Sequence, residues 1–94
     1  MPFPQQPPRF FTRLDVQTLW PNQFGCYGIY RQGCWIYVGK GDIRQRLLDH
    51  LNGDIPCIIR QQPTNWVSVV TPYYDDLEKR LINELQPVCN QRVG

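Results

Sequence analysis

The 94 residues predict a small α+β domain, a three-stranded and largely antiparallel sheet with helices packed on it. Three observations carry this. Residues 26–39 hold two runs rich in β-formers, CYGIYR and CWIYVG, joined by Gln32-Gly33. GDIRQRLLDHLNG has the period of an amphipathic helix with both ends marked, and a second helical pattern fills residues 72–85. Between them WVSVVT alternates like a strand and stops at Pro72.

In chain order, residues 1–8 are a Pro- and Gln-rich lead-in, mobile or extended. Residues 9–94 form the single domain. The apolar residues Phe10, Phe11, Leu14, Val16, Leu19 and Trp20 pack on it, with a short helix around residues 14–19 ended by Pro21. In the hairpin, Gly33 supplies the positive φ of a two-residue turn. Counting back from that turn pairs Tyr30 with Trp35 and Gly28 with Tyr37. Side chains alternate, so Tyr30, Trp35 and Tyr37 share one face with Gly28. Tyr27, Ile29, Ile36 and Val38 share the other, the aliphatic core face. Trp35 shares the tyrosine face.

Asp42 caps the first long helix and Gly53 lies past its end. Ile43, Leu47, Leu48 and Leu51 form its buried stripe. Arg46 and His50, four residues apart, stand one above the other on the flank of that stripe. Cys57 falls in a short helical or irregular connection. The last helix runs from about Pro72 or Tyr73 to Leu85, with Thr71 before Pro72 as N-cap. Stepping about 100° per residue, Glu78 falls inside the apolar arc of Tyr74, Leu77, Leu81, Ile82 and Leu85. A carboxylate there is costly unless it is paired or binds a metal.

The net charge of +2 neither announces nor excludes nucleic acid, because a local basic patch decides phosphate binding. No apolar run reaches a membrane span, and the first residues lack the basic and apolar regions of a signal peptide. A cytoplasmic protein is expected. Cys26, Cys34, Cys57 and Cys89 have no Cys-x-x-Cys spacing and only one histidine to join them, so buried, inert thiols are expected rather than a zinc site.

GIY at residues 28–30 and YVG at residues 37–39 resemble the two signature tripeptides of the GIY-YIG nuclease family. KGDIRQRLLDHL is similar to that family's first helix, and LEKRLINELQPVCN to its closing helix and Pro-x-x-Asn segment. The similarity spans about residues 20–91 and is nearest to the N-terminal nuclease domain of the bacterial excision-repair incision subunit. The link RQGCWI between the tripeptides is shorter than in many members. A three-residue turn there would break the parity that places both tyrosines on one face.

The resemblance implies a role for each matched position. Tyr30 helps deprotonate the attacking water. Tyr37 contacts the scissile phosphate or that water, and Arg46 stabilises phosphate charge. His50 is a secondary acid–base or phosphate contact. Glu78 binds one Mg2+ or Mn2+ ion, and Asn90 supports the site's structure. Lys40 matches a basic residue common after the second tripeptide. With Arg44 and Arg31, and further out Arg9, Arg13 and Arg60, it would meet the nucleic-acid backbone, giving weak, salt-sensitive and sequence-tolerant binding. The expected activity is metal-dependent hydrolysis of DNA phosphodiesters. The alternative is a binding or protein-interaction module that keeps the fold without turnover. RNA is not separated from DNA as substrate. With no room for a targeting domain, a targeting protein partner is expected.

Overall fold

The computed structural model describes residues 3–90. Its elements run β1 (Arg9–Phe10), α1 (Arg13–Val16), β2 (Phe24–Arg31), β3 (Cys34–Asp42), α2 (Ile43–Leu51), α3 (Pro56–Arg60), β4 (Asn65–Val70) and α4 (Tyr74–Leu85), with a final 3-10 turn at Val88–Asn90. The architecture is the expected α+β domain. The sheet has a fourth strand, the two-residue β1, which pairs with β4, and the order is β1-β4-β2-β3 with every pair antiparallel.

The β2–β3 hairpin turns at Gln32-Gly33, where Gly33 takes φ +75° at little steric cost. Arg31 pairs with Cys34 and Tyr30 with Trp35, as counted from the turn. Then the register shifts: Ile29 pairs with Tyr37, Gly28 with Val38 and Tyr27 with Gly39. A bulge leaves Ile36 as the extra residue of β3. Beyond it every face assignment reverses, because the side-chain period is two. Tyr37 moves to the face of Tyr27 and Ile29. Tyr30 stays behind with Gly28 and Val38.

The sheet is covered on both faces. On one, α1, α2 and α3 enclose Val16, Tyr27, Ile29, Ile36, Leu47, Ile58 and Trp66. On the other, α4 lays Leu81, Leu77, Ile82 and Leu85 over Cys26 and Val38. The lead-in joins this second layer. Phe3 is 5% exposed and stacks on Trp35 with ring centroids 5.6 Å apart. The Gln6 side-chain amide takes both backbone groups of Ser68, donating at 3.0 Å and accepting at 3.2 Å.

Asp42 caps α2, accepting from the Gln45 amide, and Gly53 follows with φ +84°. The start of α4 is later than expected. Tyr73 is its N-cap, and the Thr71 hydroxyl instead accepts from the Tyr73 amide in the turn before it. The helix predicted around residues 14–19 is shorter and earlier, capped by Thr12. The cysteine expectation is corrected. Cys57 and Cys89 form a disulfide that ties α3 to the C-terminal turn, while Cys26 and Cys34 are free thiols.

Candidate active site

The site begins with α2. Its helical spacing places Arg46, His50 and Leu47 toward the sheet, and His50 is completely buried, 0% exposed. A buried imidazole needs partners for both nitrogens. Nε2 lies 2.6 Å from the Tyr27 hydroxyl, and Nδ1 lies 2.8 Å from Oδ1 of Asp54, in the turn after α2. A carboxylate only accepts, so Nδ1–H donates to Asp54. Nε2 of the neutral ring then accepts the Tyr27 O–H. Burial lowers the His50 pKa most strongly, and Arg46 also lowers it; Asp54 and Asp49 oppose. The lowered pKa favours the neutral ring, in which Nε2 is free to accept the Tyr27 O–H.

Tyr37 completes an aromatic cluster. Its ring stands edge-on to His50 at 5.1 Å and 6.3 Å from the ring of Tyr27. Both phenols titrate above the ordinary tyrosine range, because burial disfavours the phenolate. The Arg46 guanidinium acts on both in the opposite direction. Arg46 is itself held by Asp49 at 3.3 Å and Asp54 at 3.8 Å, with 37% of its side chain exposed. Tyr37 and Arg46 form the solvent-facing part of the cluster, with Tyr27 and His50 behind them.

Glu78 comes from α4, on the other layer. It is half-buried, 3.8 Å from the ammonium of Lys40, and its charge reaches Tyr37. Burial raises its pKa, and Lys40 pulls it down. Asp75, one turn earlier, holds the same lysine. Both carboxylates thus face the same ammonium, and an ion held by either would take the place of Lys40. Among the described residues no three His, Cys, Asp or Glu side chains converge as a metal cage. Asn90 reaches the open edge of β3. Its side-chain oxygen accepts from the Val38 amide at 2.7 Å and its nitrogen donates to the Val38 carbonyl at 3.0 Å. This fixes the strand one residue after Tyr37.

The structure therefore brings together Tyr37, Arg46 and His50, with Glu78 within electrostatic reach and Asn90 as a brace. Tyr30 is the correction. The bulge leaves it on the opposite face, its ring 5.2 Å from Trp35, lining an apolar cavity of about 370 Å3 with Phe3 and Leu85. Tyr27, expected in the core, lies where Tyr30 was expected. Its signal was present: Gly-x-Tyr occurs at residues 25–27 as well as 28–30. Asp54 was also missed, although it follows His50 at the same four-residue spacing that links Arg46 to His50.

The predicted basic residues do not form one patch. Lys40 is engaged by Asp75 and Glu78. Arg44 is half-buried on α2. Arg31 is exposed at the hairpin end, six strand positions from the Lys40 end of β3, or about 20 Å. Arg9 stacks over Trp66 and pairs with Asp15 at 2.8 Å. Compared with protein-family models and with curated proteins, the chain matches none.

Proposed function

We propose that this chain is a divalent-metal-dependent endonuclease domain that hydrolyses DNA phosphodiester bonds, with Tyr27 in the role first assigned to Tyr30. The 2.6 Å contact between Tyr27 and His50, beside Tyr37 and Arg46, carries the reading. It supplies a proton acceptor that an isolated phenol with a raised pKa could not be.

Arg46 offers a planar cation to the phosphate oxygens, where charge grows in the transition state. The Tyr37 hydroxyl donates to the same phosphate. As water attacks phosphorus in line, the Tyr27 oxygen takes its proton and passes its own to Nε2 of His50. Glu78 would hold the single Mg2+ or Mn2+ ion, in place of the Lys40 ammonium it faces at 3.8 Å. Such an ion neutralises phosphate charge and stabilises the leaving oxygen. The signature resemblance supports the roles of Tyr37, Arg46, His50 and Glu78, and the gathering of Tyr37, Arg46 and His50 with Tyr27 in one cluster supports moving the first role to Tyr27.

The binding-module alternative has one observation in its favour. Tyr27 is only 1% exposed and His50 not at all, so the pair also serves as core. Nicking of supercoiled plasmid decides between the two. The parent should cut with magnesium or manganese and stop with EDTA. Tyr27→Phe and Glu78→Gln should lose at least about 100-fold in rate, whereas Tyr30→Phe should cut like the parent. A pure parent protein that leaves plasmid, branched DNA and RNA intact with both metals overturns the enzyme reading. Cleavage of RNA alone changes the substrate. A targeting partner remains part of the proposal, because the described basic residues are scattered.

No described helix is long and apolar enough to cross a membrane. The cytoplasm is the proposed compartment, and the Cys57–Cys89 bond is the observation that weighs against it, since disulfides persist where the surroundings are oxidising. Thiol trapping in cells that finds the pair fully oxidised overturns that assignment.

A further inference from the structure

Asp54 lies outside all four matched motifs of the family resemblance, yet it touches two residues of the site. Its Oδ1 lies 2.8 Å from Nδ1 of His50 and its Oδ2 lies 3.8 Å from Nη2 of Arg46. We propose that Asp54 is the positioning residue of this site, fixing the His50 tautomer that turns an unprotonated Nε2, with its lone pair, toward Tyr27 and holding Arg46 beside it. The inference rests on the hydrolase reading for its consequence, but its geometry stands alone.

A neutral imidazole carries one N–H, and either nitrogen can bear it. With no acceptor at Nδ1, the ring could place the proton on Nε2 and donate to the Tyr27 oxygen. That tautomer cannot take a proton from Tyr27. Asp54 removes the ambiguity, because its carboxylate accepts only. The same carboxylate stabilises the imidazolium that forms when the Tyr27 proton arrives. Its side chain is 32% exposed while His50 is sealed, so it is also the point where the buried chain Tyr27–His50–Asp54 meets solvent.

Other charges face His50. Arg46 and Asp49 come from its own helix, with Arg46 lowering and Asp49 raising its pKa. The groups facing it from β2 and β3, Tyr27 and Tyr37, are neutral phenols near pH 7. Asp54 is the acid in direct hydrogen-bond contact with the ring.

The experiment is nitrogen-15 NMR of the His50 ring in the full chain, parent against Asp54→Ala, Asp54→Asn and Asp54→Glu, with amide spectra to establish folding. The parent should carry its proton on Nδ1, Asp54→Glu should keep it there, and Asp54→Ala should move it wholly or partly to Nε2. Nδ1–H unchanged in a folded Asp54→Ala overturns the proposal whether or not the parent cleaves DNA. An inactive parent sinks only the hydrolase reading. With an active parent, folded Asp54→Asn should lose about 100-fold or more in kcat, with KM for DNA within a few-fold. The acid limb of its kcat profile should also move to lower pH, because the charge that raises the His50 pKa is gone. A kcat and an acid limb equal to the parent's overturn the assignment.

Discussion

Tyr27 and Gly39 face each other across the hairpin, and the space between them is fully used. A Cβ built on Gly39 would stand 2.3 Å from the Tyr27 oxygen and 2.5 Å from the ring carbon that carries it. Alanine there forces the phenol aside. Gly39→Ala should destabilise the fold by about 1–3 kcal/mol in urea titrations, and the Tyr27–His50 bond should be lost, moving the His50 ring resonances. His50 has its own pH signature. Its folded pKa lies below the ordinary 6.5, chiefly through burial, so the unfolded chain binds the extra proton first. Its contribution is complete above about pH 6.5 and disappears as pH falls through the lowered value. Glu78 has the opposite sign, its pKa raised above 4.5, and acts in a more acidic window. Urea midpoints between pH 7 and pH 5 should fall for the parent and fall less for His50→Gln; equal slopes would remove His50 as the cause.

The elements were largely legible because their signals are local. Asp42 before an amphipathic run and Gly53 after it mark α2 through capping chemistry that reads the same in the sequence and in the fold. Pairing is different. The two-residue turn was correctly placed, and so were the first two pairs, but alternation assumes one residue opposite one residue. The bulge at Ile36, opposite the Ile29–Tyr30 step of β2, breaks that assumption with no Gly or Pro among Trp35, Ile36 and Tyr37 to announce it. That one residue exchanged Tyr30 for Tyr27. The Cys57–Cys89 bond was equally hidden, since its partners are 32 positions apart and only the tertiary fold brings them within 5.8 Å at Cα. It anchors the residue next to Asn90. Cys57→Ser/Cys89→Ser should cost about 3–4 kcal/mol by the chain-entropy relation for a loop of this length. Reductant should reproduce that loss in the parent and leave the double variant unchanged.

For the whole molecule, the boundary between lead-in and domain is one of composition rather than structure. Proline and glutamine made residues 1–8 read as a tail, because that rule counts residue types and not partners. Phe3 nevertheless packs beside Trp35 over Gly28, and Gln6 completes the backbone of Ser68. Removing residues 1–8 should cost about 3 kcal/mol, the order of deleting a buried phenylalanine, and should change the Trp35 environment seen by fluorescence. A shortened chain with an unchanged urea midpoint would show the segment to be dispensable. Gln6 and Asn90 do the same thing at opposite margins of the sheet. Each lays a primary amide along a strand and occupies both its N–H and its C=O, as a neighbouring peptide would. Open strand margins are templates on which further copies can stack. The two amides therefore act as terminators: a chain that lost either would offer a fresh ladder rung, and its failure would appear as self-association and fibre growth before any fall in cooperativity.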